Sequence, residues 1–372
     1  MDLSRAVYVI LAEGAFGLHS SKTAASAIRY FPERVAAVID SEKAGRTAHD
    51  VLGFGGSIPV VASLEEGLVA GGVRPTALLV GIAPRGGRLP REWLDLIVRA
   101  AELGLDVVSG LHEYLAEVPA IRQAAERSGA RIYDLRRPPA DLTISTGAAR
   151  LVDAFTVLTV GTDCNLGKMT AALEIRRGLA EAGERVAFAP TGQTGILIEG
   201  WGIAVDAVIS DFIAGAAERL VIQAAEQVGP EGIVLVEGQG SLLHPAYSGV
   251  TLGLLHGSLP KAMILCHDVS RQRIRSDGEY DFVRMPSLTA AVRLYETALG
   301  WLRPAPVIGI ALKTNELSEA DARQAILQAE AETGLPATDP VRFGPDRLVG
   351  AIRRAARRAS AWSGAGSLAA GA

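Results

Sequence analysis

The chain has 372 residues and a formal net charge of −4, with 49% apolar and 5% aromatic residues; that leaves room for two domains and no basic excess to neutralise a nucleic-acid backbone. Its two cysteines, Cys164 and Cys266, lie far apart and form no CxxC pair, so neither a disulfide framework nor a structural zinc site is expected, and a reducing cytoplasm is. The first apolar run, Val7 to Ala12, is too short for a signal-peptide core and no stretch approaches the roughly 18 apolar residues of a membrane span, so a soluble, cytoplasmic protein without membrane partners is expected.

In chain order, "AVYVILAEG" reads as a strand and "AFGLHSSKTAASAIRYF" contains a helix. "VAAVID" and "ALLVGIA" are further strands, "REWLDLIVRAAELG" is a helix ending at Gly104, and "LDVVSGLHEYL" supplies a strand and a turn. Apolar strands separated by helices predict a parallel sheet covered on both faces. "GAFG" and Asp40, which ends the second strand, suggest a Rossmann-like domain, but the full G-x-G-x-x-G is absent and NAD binding is not expected. "GIAPRGGRLPREW" offers Arg85, Gly86, Gly87 and Arg88 to an anion.

The seam falls at "DLRRPPADLTISTGAARL", where Arg136, Arg137, Pro138 and Pro139 interrupt the pattern, because consecutive prolines continue neither helix nor central strand. The expected division is a Rossmann-like domain over 1–140 and a second α/β domain over 141–357. The Gly-, Ala- and Ser-rich residues 358–372 are expected to be a disordered tail.

The second half starts more sharply. "DAFTVLTVG" is a buried strand that runs into "TDCNLGK", and a helix follows from Lys168 with Ala172, Ile175 and Leu179 on one face. Gly183 is placed to end that helix. "RVAFAP", "GIVLVEG", "KAMILCHD" and "PVIGIALKT" are the remaining strands. Strand, glycine loop and helix together are the context of a phosphate-binding loop, so this half reads as a P-loop NTPase-like domain with a mainly parallel sheet.

One residue is unusual. Met169 stands where such loops carry the serine or threonine that ligates Mg²⁺. The backbone N–H groups of Asn165, Leu166 and Gly167, the helix N-terminus and Lys168 suffice to hold a diphosphate. Transfer of a γ-phosphoryl group also needs a metal ligand, and Thr170 lies about 100° further around the helix. A ligand whose pyrophosphate is a handle, such as coenzyme A, fits this loop. An ATPase whose Mg²⁺ is held by Thr170, Asp163 or water fits it about as well. The candidate cofactor-binding residues are Gly161, Thr162, Asp163, Cys164, Asn165, Leu166, Gly167, Lys168, Met169 and Thr170.

"GTDCNLGKMT", "APTGQTGILIEGWGIAVDAVISDFIAGAAE", "LVEGQGSLLHPAYSGVTLGLLHG" and "TGLPATDPVRFG" together resemble the D-glutamate N-acetyltransferase-like family, over nearly the whole chain. That family carries Met after the loop lysine. The resemblance implies acetyl transfer from acetyl-CoA to the amino group of D-glutamate or a related acidic amino acid. "GTDCNLGK" and "PTGQTG" are also similar to dethiobiotin synthetase, which makes an ATP- and Mg²⁺-dependent ligase or kinase the alternative. A nucleotide-gated binding protein is a third reading, disfavoured by the polar residues gathered at strand ends. P-loop enzymes of this kind often pair across their sites, so a homo-oligomer is expected.

Acyl transfer to an amine needs a base, a polarised carbonyl and grips for the acceptor. Glu237 ends "GIVLVEG" at the carboxyl edge of the sheet, where open α/β folds bind ligands, and is the candidate base. His244, in "GQGSLLHPAYSG", is the candidate proton shuttle. His256 and His267 show no metal spacing to it, so no metal set is expected. Gln193, Thr194 and Gln239 can bond a carboxylate. Asp206 and Asp211 can grip an amino group or cap a helix, and Arg273, with Arg271 and Arg275, suits a dicarboxylate or phosphate. Cys164, inside the loop, is a possible nucleophile, though simple fit is the commoner role of a small residue there.

Overall fold

The computed structural model describes residues 3–18, 20–82, 89, 91–275 and 279–369. They divide into two compact units, Met1–Pro139 with Gly192–Ala207, and Ala140–Thr191 with Val208–Ala372. Arg85, Gly86, Gly87 and Arg88, expected to meet an anion, lie outside the described residues.

The first unit is built on strands β1 (Tyr8–Leu11), β2 (Val35–Ile39), β3 (Val60–Val61), β4 (Ala77–Val80), β5 (Asp106–Ser109) and β6 (Ile132–Asp134). All are parallel, in the order β3-β2-β1-β4-β5-β6, which is the Rossmann order. Every residue of β1, β2 and β4 is buried, because helices cover both faces of a parallel sheet. The helices are α1 (Lys22–Tyr30), α2 (Ala48–Leu52), α3 (Leu64–Gly67), α4 (Leu94–Glu102) and α5 (Pro119–Ser128). Gly104 takes a left-handed φ of 81° just past α4, where a helix end needs a residue without Cβ. The Asp40 carboxylate is fully buried and accepts from Phe16 N at 2.9 Å and Lys43 Nζ at 3.0 Å. It therefore braces the turn after β1.

The second unit carries β7 (Phe155–Gly161), β8 (Val186–Ala189), β9 (Ile233–Val236), β10 (Ala262–Asp268), β11 (Val307–Lys313) and β12 (Ala337–Thr338). They too are all parallel, in the order β12-β11-β10-β7-β9-β8. Strand β7 thus lies between β10 and β9, and the carboxyl ends of these three strands build the site. Helix α6 (Lys168–Glu181) leaves the loop after β7 and buries Ala172, Ile175 and Leu179 completely. Gly183, at φ 80°, follows its end.

Helix α7 (Gln193–Glu199) comes next in the chain and belongs with the first unit, so the first unit takes in a segment from beyond the seam. The second unit continues with α8 (Ile213–Val228), α9 (Ser248–Ser258), α10 (Leu288–Gly300), α11 (Glu319–Thr333) and α12 (Asp346–Ala369). Where composition suggested a disordered tail from residue 358, α12 carries on to Ala369; alanine-rich sequence is compatible with helix. Among the described residues no helix is long and apolar enough to cross a membrane.

Candidate functional site

The loop after β7 is locked from beneath. Tyr295 OH donates to Gly161 O at 2.6 Å, Thr162 N donates to Cys266 O at 3.1 Å, and Thr162 Oγ1 lies 3.0 Å from His267 Nδ1. Thr162 and Asp163 are fully buried, so the first side chains of the loop face the sheet. Asn165, at φ 54°, and Gly167, at φ 91°, turn the backbone outward and both are exposed.

Asp163 is the hub. One carboxylate oxygen accepts from Cys164 N; the other accepts from Arg275 N at 2.7 Å and from the Arg271 guanidinium. Arg271 also donates to Cys164 O at 2.7 Å and Asn165 O at 3.2 Å, and its Nε lies 3.3 Å from Asp268. The guanidinium spans several backbone and carboxylate acceptors at once, as its planar fork permits. Lys168, 6% exposed, donates to Asp163 O at 2.8 Å. Burial pushes its pKa down, while the neighbouring thiols of Cys164 and Cys266 and the Asp163 carboxylate oppose that. An anion in front of the loop would favour the charged form of the lysine. Leu166 is buried; Met169 and Thr170 are half-buried.

Glu237 stands at the end of β9, 6% exposed. Its Oε2 accepts from Thr191 N at 2.9 Å, and Thr191 Oγ1 donates back to Glu237 O at 2.9 Å. Gln239 is spent on the same residue, donating to Thr191 O and Oγ1. Gly238 must be glycine, since a Cβ there would lie 1.6 Å from Thr159 O and 3.2 Å from Lys168 Cδ. This close approach sets the Glu237 strand end against the loop lysine.

His244 is 3% exposed and packs against Tyr247, tilted, and Tyr280, edge-on, at ring separations of 4.6 and 5.3 Å. Ala246 N donates to its Nδ1 at 3.2 Å, which leaves the neutral ring with its proton on Nε2. In that tautomer the ring offers a hydrogen-bond donor at Nε2.

A ring nitrogen of His244, Cys164 Sγ and an Asp163 oxygen lie within 4.8 Å of one another. These are metal-type donors, but their bonds do not suit a cation. Asp163 already neutralises Arg271, and a metal-bound imidazole would need Nδ1 to donate where it accepts.

The other candidates disperse. Arg273 is exposed and donates to Asp281 O, while Arg275 reaches Asp163 through its backbone. Asp211 is exposed in the turn before α8, whose N-terminus has no side-chain cap. Gln193 and Thr194 open α7 in the first unit, where Gln193 packs over Gly110. Asp206 pairs with Arg136 in that same unit. Sequence reasoning missed the Arg271 clamp, the Tyr295 bond and the Thr191–Glu237 pair. The one available signal was an arginine three residues beyond a strand-ending aspartate.

Comparison with known proteins places these features in company. Residues 143–349 match the model described as "Domain of unknown function (DUF1611_C) P-loop domain", and 41–138 match its DUF1611_N Rossmann-like counterpart. A curated D-glutamate N-acetyltransferase from Tritonibacter scottomollicae is 40% identical over 294 residues, 78% of this chain and 84% of its own length. Another of that name, from Pseudoalteromonas sp, is 38% identical over 272 residues, 73% of this chain and 79% of its own. The crystal structure of a DUF1611 family protein from Anabaena variabilis is 39% identical, with a TM-score of 0.87 over 94% of this chain and 100% of that one.

Proposed function

The chain belongs to the DUF1611 family, and on that premise we propose that it moves an acetyl group from acetyl-CoA to the amino group of D-glutamate or a related acidic amino acid. It is an enzyme, an N-acetyltransferase. The observation that carries the donor assignment is the state of Asp163. Its carboxylate is consumed by Arg271 and two backbone N–H groups, and Met169 brings no hydroxyl. The loop therefore offers an anion cradle in which Asp163, one expected substitute for the missing Mg²⁺ ligand, is already taken. A pyrophosphate that is only held, as in coenzyme A, suits such a loop better than a phosphoryl group that must be transferred.

The residues divide the work. The N–H groups at 165–167, the start of α6 and Lys168 bind the pyrophosphate, with His244 Nε2–H as a further donor. Glu237 accepts a proton from the acceptor's ammonium, the step that makes its nitrogen nucleophilic. The amine then attacks the acetyl carbonyl carbon; the carbonyl reforms as the C–S bond breaks, and the leaving coenzyme A thiolate takes up the second proton from the nitrogen, giving the neutral amide and the free thiol. Cys164 is not the acyl carrier in this arrangement, since the pantetheine arm separates a loop-bound pyrophosphate from its thioester.

The test is a pair of calorimetric titrations, with acetyl-CoA and with Mg²⁺-ATP, on the protein and on Lys168→Ala. Acetyl-CoA binding that depends on Lys168, with N-acetyl-D-glutamate formed on adding D-glutamate, supports the reading. Tight ATP binding without response to acetyl-CoA would replace it with the dethiobiotin synthetase-type ligase.

A further inference from the structure

The two cysteines occupy opposite environments. Cys266 is 1% exposed on β10, and burial pushes its thiol up to about 12. Cys164 is half-buried in the phosphate loop, on the approach to α6. Among the described residues, groups from several neighbouring elements surround it. Lys168, on α6, interacts with it electrostatically, as does Tyr295 on α10. His244, from the segment after β9, places a ring nitrogen within 4.8 Å, and its Nε2 has no hydrogen-bond partner among the described residues. The carboxylate of Asp163 also lies within that distance, but its charge is balanced by Arg271, which follows β10. A positive helix end, an ammonium and an imidazole N–H all favour a thiolate over a thiol.

We propose that Cys164 is a modifiable thiol that exchanges with small disulfides, and that the mixed disulfide closes the phosphate cradle. The thiolate sulfur attacks one sulfur of the disulfide. A new S–S bond forms as the old one breaks, and the other half leaves as a thiolate. The redox change is confined to the exchanging sulfurs, and excess thiol reverses it. The attached group then occupies the space in front of Lys168. Closure of the cradle rests on the function proposed above; the reactivity of the thiol does not.

The experiment treats the full, native chain with dithiobis(nitrobenzoate) and follows release of the coloured thiolate, with and without inorganic pyrophosphate. The expected result is one equivalent released per chain, about tenfold faster at neutral pH than from glutathione, with a rate midpoint below the ~8.5 of an ordinary thiol. Peptide mapping of the labelled chain locates the adduct at Cys164 even if Cys164→Ser folds poorly. Pyrophosphate slows the reaction several-fold. A rate no greater than that of glutathione, or an adduct mapped to Cys266, overturns the proposal. Fast labelling at Cys164 that pyrophosphate leaves unchanged overturns closure of the cradle, and the phosphate site with it. Absence of acetyl transfer by the unlabelled protein, with Cys164 labelled fast and protected by pyrophosphate, counts against the proposed function alone.

Discussion

The guanidinium of Arg271 lies against the carboxylate of Asp163, and both side chains are largely withdrawn from solvent, at 11% and 0% exposure. The pair joins the segment after β10 to the loop after β7, so the shape of the cradle depends on a residue outside it.

Removing one partner of such a pair leaves an uncompensated buried charge. Arg271→Ala is expected to destabilise the second unit by about 3–5 kcal/mol and to weaken acetyl-CoA binding. The double variant Asp163→Asn with Arg271→Met should cost less than Arg271→Ala alone. Denaturant unfolding of the three proteins checks this, and equal stability of Arg271→Ala and the parent would contradict it.

Glu237→Gln keeps an oxygen to accept the Thr191 N–H but cannot take up a proton. The proposed base role predicts a fall in kcat of about 10²–10⁴ with an unchanged unfolding transition. Steady-state kinetics with D-glutamate decides; a change of only a few-fold would remove Glu237 as base.

For His244 the donor role separates two substitutions. His244→Ala should raise the KM for acetyl-CoA about tenfold, the worth of one hydrogen bond to a charged group. His244→Gln, which retains an N–H, should recover part of it. The pH profile of kcat should keep its acid limb in both variants, and disappearance of that limb would assign His244 the proton-shuttle role instead.

Glu218, on α8, holds the start of the second unit. It accepts from Ser145 Oγ, Thr146 N and Thr146 Oγ1, each at 2.9 Å. Burial alone would raise its pKa, but these bonds to the ionised form outweigh it and the net shift is downward. A depressed folded-state pKa means stability that is present above the ordinary carboxylate value and lost as pH falls through the folded one. Glu218→Gln should therefore be less stable than the parent near neutral pH, with the gap closing in acid. A gap that does not vary with pH would show that the carboxylate charge is not what holds the segment.

Much of this was legible along the chain. Buried strands appear as continuous apolar runs, and α6 announces its packed face through Ala172, Ile175 and Leu179, because periodicity and turn chemistry act between near neighbours. Met169 disclosed in the same way that the loop had lost its metal hydroxyl. Glu237 was legible as a strand-end carboxylate, yet its bond to the Thr191 N–H was not. Nor could local pattern disclose that Gln193 packs with the first unit, two residues after Thr191 has paired with Glu237 in the second. Arg271 lies 108 residues from Asp163, and nothing in either segment names the other. Their meeting follows from β10 lying beside β7, and strand order is settled only when the sheet assembles and buries both its faces.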